Sequence, residues 1–249
     1  MNDAVRGCTH ICHQAALGSV PRSVVDPVRT NEINLVGGLN LLVCSQKNNI
    51  SRFVFASSSS VYGANDTTPF NENDNVNKPI SIYATSKRSN ELMAYAYNHL
   101  YGLNTVGLRY FTVYGPWGRP DMSYYIFCEK INKGEPISIF NNGNMQRDFT
   151  YIDDIIEGTT AAIYKNYNCE IFNLGNNRCE NVMDIIYLIE DTLGKKAVID
   201  YKAIQLGDVQ KTFADIEYSK LKLNYNPKTT IASGIPKFVD WYMSYNNLK

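Results

Sequence analysis

The apolar and polar positions along this chain switch between two periods. THICHQAA (9–16) is an apolar run that ends in small and polar residues before a turn at 18–21, as a strand does on reaching the edge of a sheet. RTNEINLVGGLNLLVCSQKN (29–48) then carries apolar residues at helical spacing, and RFVFA (52–56) is a second apolar strand. A helix is expected over about 84–100, followed by a third strand, TVGLRYF (105–111). Strands separated by helices of this length predict a parallel sheet with helices on its faces.

Past Gly115 the pattern loosens. GPWGRPD (115–121) is a turn-rich loop before a helix at about 124–132, and ISIF (137–140) is a short strand. NNGNMQRDFTYIDDIIEG (141–158) carries a polar loop into a helix capped by Asp153 or Asp154. A strand EIFNLG (170–175), a helix at 182–194, a strand AVIDY (197–201) and a last helix near 235–245 complete the chain. The expected organisation is one α/β domain over 1–115 and about 151–175, with a smaller α/β lobe built from 116–150 and 176–249.

Composition narrows the function classes. Lys and Arg (24) balance Asp and Glu (24), so no global field draws the chain to nucleic acid or to an acidic membrane surface. No apolar run approaches the roughly 20 residues of a membrane span. The start, MNDAVRG, lacks a cationic segment leading into an apolar one, so the sequence reads as cytoplasmic. Six scattered cysteines suit reduced thiols. The cluster CTHICH (8–13) alternates faces in a strand and has no second ligand cluster, so no metal site is expected.

Ligands of open parallel sheets bind beyond the carboxyl ends of the strands. Three segments bring polar residues there: HQAALGS after the first strand, SSSS (57–60) after the second and FTVYG after the third. In SIYATSKRSNE (81–91), Tyr83 and Lys87 lie one helical turn apart on one face. A fixed ammonium favours the phenolate of a neighbouring tyrosine, and a serine hydroxyl from the strand end could share the proton relay. On its own that spacing is a weak signal, because many helices contain it by chance on a solvated face.

The Tyr83 and Lys87 pair, the serine-rich strand end closing in VYG and the HQAA turn together resemble the extended short-chain dehydrogenase/reductase family of nucleotide-sugar epimerases and dehydratases. LRYFTVYGPWGRPDM (108–122) and MQRDFTYIDDI (145–155) resemble UDP-glucuronate 4-epimerases in particular, and the likeness continues through QLGDVQKTFADI (205–216) and KFVDWY (237–242). The resemblance implies an NAD(P)-binding Rossmann-like sheet, NAD as cofactor, a UDP-sugar as substrate, and inversion at C4 through a 4-keto sugar.

By that resemblance Ser58, Tyr83 and Lys87 are the catalytic residues, with Lys87 also holding the nicotinamide ribose. Ala15, Ala16, Asn34, Ser57 and Tyr110 match cofactor-lining positions. Phe140 and Arg147 match uridine and diphosphate contacts, and Asp208 falls in a ribose-contacting loop. Dehydratases of this fold carry an Asp-Glu pair where this chain has Ser59 and Ser60, whose hydroxyls suit a sugar carboxylate instead. Thr112 and Arg119 match the remaining carboxylate contacts. HQAALGSVPRS is closer to epimerases of UDP-N-acetylhexosamines, with Arg22 a candidate ligand there. UDP-N-acetylglucosamine or UDP-glucose is therefore the alternative substrate, and a non-catalytic paralogue the reading from another class. Family resemblance also implies a homodimer through the helices near 29–48 and 84–100.

The family fold opens with a strand and a GxxGxxG turn that admits a pyrophosphate at a helix N-terminus. This sequence contains no such turn, and its first strand matches the fourth strand of the family fold. The resemblance thus implies a truncation of roughly 75 residues or more, two strand-helix units and a strand. The strand at 9–16 is then expected as an exposed sheet edge.

Overall fold

The structure, a computed structural model, describes residues 2–65, 67–203 and 210–248. The first elements are α1 (Asn2–Val5), β1 (His10–His13), α2 (Val20–Val25), α3 (Pro27–Asn31), α4 (Gly37–Lys47), β2 (Arg52–Ala56), α5 (Ile82–Tyr101) and β3 (Thr105–Tyr110). There follow β4 (Thr112–Tyr114), α6 (Ser123–Lys133), β5 (Pro136–Phe140), β6 (Gln146–Arg147), β7 (Phe149–Tyr151) and α7 (Ile152–Tyr164). The last are β8 (Cys169–Leu174), β9 (Glu180–Asn181), α8 (Val182–Leu193), β10 (Val198–Lys202), α9 (Glu217–Leu223) and α10 (Ile231–Tyr245).

Two compact units result, one of Met1–Tyr110, Glu157–Leu174 and Asp215–Tyr225, the other of Phe111–Ile156, Gly175–Ala214 and Asn226–Lys249. The division differs from the expected one in its boundaries. Residues 111–115 and 151–156 fall in the second unit because β4 and β7 pair with each other. Asp215–Tyr225 falls in the first because α9 packs on β8: Ser219 donates to the Asn173 carbonyl at 2.6 Å, and the Tyr218 ring stacks on Phe172.

The first unit is a four-stranded parallel sheet in the order β1-β2-β3-β8, as the sequence pattern predicts. Phe53, Val54 and Phe55 of β2 and Val106 and Leu108 of β3 are buried, as strands covered on both faces require. One face packs against α4 and α5 through Leu42, Phe53, Phe55, Ala94 and Leu103. Glycine at the centre of β3 leaves room for its neighbours: a Cβ on Gly107 would lie 2.5 Å from Ile171 and 2.8 Å from Phe55, so those side chains would have to shift. Among the described residues β1 has one neighbour, β2, so it forms a sheet edge with His10 and Cys12 exposed.

The helix expected over 29–48 starts earlier and is interrupted. Asp26 caps it by accepting from Arg29 N, Pro27 opens it, and Glu32–Val36 is a π-turn between α3 and α4. One extra residue in that turn carries no simple periodic signal, so the apolar spacing did not disclose it. Gly38 lets α4 and α5 approach closely, since a Cβ there would meet the Asn90 side chain at 2.7 Å.

The second unit is built on an aromatic and isoleucine core including Tyr114, Tyr124, Phe127, Ile137, Phe149, Ile185 and Phe238, shared by α6, α8 and α10 with the short pairs β4-β7 and β5-β10. The polar loop expected at the start of 141–158 contains β6 and β7 before α7 begins. Neither Asp153 nor Asp154 caps α7, whose first turn contains both. The Asp154 carboxylate instead accepts from the backbone N–H groups of Lys228 and Thr229.

Candidate active site

β2 ends at Ala56, and the two serines that follow diverge. Ser57 turns inward and its hydroxyl donates to the Glu91 carboxylate at 2.6 Å. Ser58 opens a 3-10 turn over Ser59–Tyr62, its oxygen accepting from Ser60 N at 3.1 Å while its hydroxyl donates to Ser60 Oγ at 3.1 Å. That turn packs against α5, so the serine-rich strand end and the helix of Tyr83 and Lys87 meet.

α5 begins where Ser81 accepts from Ala84 N, which places Tyr83 in its first turn. Lys87, one turn on, is 3% exposed and donates its ammonium to the Ala56 carbonyl at 2.8 Å. Its nitrogen lies 6.0 Å from the centre of the Tyr83 ring, which is half-buried. A buried ammonium keeps its charge only when paired or hydrogen-bonded, and the strand-end carbonyl serves that need. The positive charge also reaches β1: burial and then the Lys87 ammonium lower the His13 imidazole below its ordinary value.

Beneath this lies a buried ion pair. Arg109 of β3 grips Glu91 with two parallel bonds of 2.9 Å, and Arg88 adds a third to the same carboxylate. Burial alone would raise the Glu91 carboxyl, but the bonds and charge of Arg109, with Ser57 and Arg88, bring it below the usual range. Arg109 also donates to the Tyr62 hydroxyl at 3.0 Å, which passes its own proton to Asn173 at 2.7 Å. The sequence reading missed Glu91 and Arg109, although an arginine inside an apolar strand is itself a signal of a buried partner.

The expected cofactor-lining residues of the first unit divide by what their side chains do. Ala15 and Ala16 follow β1 with small side chains that leave the backbone approachable. Asn34 sits in the π-turn, 1% exposed, where its amide accepts from Leu17 N at 2.7 Å and donates to Leu17 O and Ser86 Oγ. It therefore shapes the turn after β1. The Ser57 hydroxyl is likewise engaged within the protein, by Glu91. The Tyr110 hydroxyl bonds Thr159 at 3.0 Å and accepts from Gln14 at 3.2 Å, and burial pushes it up to about 12.

In the second unit, Thr112 starts β4 and its N–H donates to the Asp148 carbonyl. Arg119 is half-exposed and holds the Asp121 carboxylate, with its Nε at 2.9 Å. Phe140 ends β5 and is half-buried, so it is not the pure core residue its type suggests. Arg147 donates to the carbonyls of Gln146 and Gln210. Asp208 lies outside the described residues. Among the described residues no group of three or more His, Cys, Asp and Glu side chains could hold a metal ion, and no helix is long and apolar enough to cross a membrane.

Comparison with known proteins adds to this geometry. A family model described as the NAD dependent epimerase/dehydratase family matches residues 1–175. An uncharacterised protein of Methanocaldococcus jannaschii is 48% identical over 233 residues, covering 94% of this chain and 72% of that protein. UDP-glucuronate 4-epimerase 4 of Arabidopsis thaliana is 43% identical over 255 residues, covering 95% of this chain but 58% of its own length. The crystal structure of UDP-glucuronic acid 4-epimerase from Bacillus cereus, in complex with UDP-glucuronic acid and NAD, superposes with a TM-score of 0.92 at 30% identity, over 98% of this chain and 78% of that one.

Proposed function

The chain belongs to the NAD dependent epimerase/dehydratase family, and from that membership we propose that it is a UDP-sugar 4-epimerase acting on UDP-glucuronate. The observation that carries the catalytic reading is the buried Lys87 ammonium, fixed on the Ala56 carbonyl one helical turn from Tyr83 and two residues before Ser58.

NAD, when bound, supplies a reversible hydride acceptor for C4 of the sugar. The donors of the first unit fit its nicotinamide ribose: Lys87 for the hydroxyls, and the backbone after Ala15 and Ala16 where the sheet ends. Tyr83 takes the proton of the sugar 4-hydroxyl, and the Lys87 charge offsets the negative charge on the phenol oxygen. Ser58, whose hydroxyl is already polarised by the Ser60 N–H, hydrogen-bonds the same sugar oxygen and carries the proton relay. When the 4-keto sugar presents its other face, the same tyrosine returns the proton.

Selection of a sugar acid is assigned to Thr112, Arg119, Ser59 and Ser60. The bond from Arg119 to Asp121 supports this, because a guanidinium already engaging a carboxylate needs only to exchange one for another. Phe140 and Arg147 are assigned to the uridine and diphosphate, and a homodimer to the helices α4 and α5, where Leu39, Leu92 and Tyr95 are exposed. Incubating the chain and its Tyr83→Phe variant with NAD and each of UDP-glucuronate, UDP-N-acetylglucosamine and UDP-glucose tests the reading. Turnover of the acetylated sugar alone would move the assignment to the alternative substrate, and neither turnover nor NAD binding by the wild type would sink it in favour of a non-catalytic paralogue.

A further inference from the structure

The ties between α5 and the end of β2 come as two rungs. Lys87 bonds Ala56, and Glu91, four residues further along the same helix face, bonds Ser57. Residues i and i+4 of the helix thus hold successive residues of the strand end, immediately before Ser58. The lower rung is anchored from the next strand, because Arg109 fixes both oxygens of Glu91 and is itself held over the Tyr62 ring, 4.9 Å away, at the end of the 3-10 turn that Ser58 opens. The side chains of Ser57, Tyr62, Lys87, Glu91 and Arg109 in this chain of contacts are all buried.

We propose that Glu91, clamped by Arg109 and bonded to the Ser57 hydroxyl, is the positioning residue that locks the helix of Tyr83 and Lys87 to the strand end of Ser58. The inference rests on the catalytic reading above. A displacement of about 1 Å between a proton donor and its acceptor is enough to cost roughly a hundredfold in rate, so a rigid registration of these two elements has kinetic value. A purely structural ion pair would be indifferent to the serine. Here the Ser57 hydroxyl, donating at 2.6 Å, ties the Glu91 carboxylate to the strand end. Ser57 acts through Glu91, and neither side chain needs to touch the sugar or the cofactor.

The test compares Ser57→Ala, Glu91→Gln and the double variant in the full chain. Ser57→Ala leaves the Glu91 and Arg109 pair intact, so it remains informative if Glu91→Gln fails to fold. Each single variant is expected to lower kcat by at least about tenfold with KM for the UDP-sugar changed less than about twofold, and the double variant to fall no further than the weaker single. Losses that multiply, or a raised KM with kcat intact, overturn the proposal. Amide hydrogen exchange on the chain without ligand decides the matter independently of turnover. In Ser57→Ala, peptides covering 56–62 and the first turns of α5 should exchange about tenfold faster while β8 is unchanged. Unchanged exchange at 56–62 overturns the clamp, whereas an inactive wild type overturns only the catalytic reading.

Discussion

The Lys87 ammonium and the Ala56 carbonyl oxygen lie 2.8 Å apart, which ties a helix side chain to the last residue of a central strand. The charge is thereby set at the carboxyl edge of the sheet, where a ligand is expected. Replacing Lys87 by Met removes the charge and keeps the stem, and Tyr83→Phe removes one oxygen. Each is expected to reduce kcat by a factor of about a hundred or more. Steady-state turnover checks this, with thermal melting as control. Tyr83→Phe should melt close to wild type, because its ring is only half-buried.

Arg119 bears on which sugar is used. Charge-assisted bonds to a carboxylate are worth about 1.5–3 kcal/mol, so Arg119→Ala should raise KM for UDP-glucuronate by about tenfold or more. UDP-N-acetylglucosamine, which has no such carboxylate, should be handled as before. Equal losses on both substrates would remove Arg119 from the specificity determinants.

Asp148 supports the second unit from inside. Its carboxylate accepts from Thr150 Oγ1 and Asn176 N on one oxygen and from Asn177 N and Ala214 N on the other. Burial nevertheless pushes it up to about 6 against those donors. Between pH 4 and pH 6, roughly, the folded chain retains a proton that the unfolded chain has released, so this group's contribution to stability falls as pH rises through that window. Asp148→Asn turns an N–H group toward donors and should destabilise by about 1–3 kcal/mol. Denaturant melts of both proteins at several pH values check the sign: the advantage of wild type over the variant should shrink as pH rises from about 4 to about 6.

Leu92 and Tyr95 of α5 are 53% and 65% exposed. If α4 and α5 join two copies, Tyr95→Glu should shift sedimentation from dimer to monomer, because it would bury an unpaired charge in that face. A wild type that sediments as a monomer contradicts the assignment.

Local pattern carried the parallel sheet. RFVFA is bounded by polar residues and emerges as β2 over the same five positions, and the helix expected over about 84–100 is α5 (Ile82–Tyr101), begun two residues earlier by the Ser81 cap. What escaped is what depends on distant contacts. Asp154 looked like a cap but bonds a backbone 74 residues away. Glu91 looked like one more helix-face charge, and only the fold brings Arg109 to it. The segment Asp215–Tyr225 has weak periodicity of its own and takes its place from Asn173 and Phe172.

The most direct test of the central claim is incubation of the chain with NAD and UDP-glucuronate deuterated at C4. UDP-galacturonate carrying the label at C4 is the predicted product, because the hydrogen removed from C4 returns to the same carbon while Tyr83 moves only the hydroxyl proton. Failure to form UDP-galacturonate, or product that has lost the label to solvent, would contradict the account.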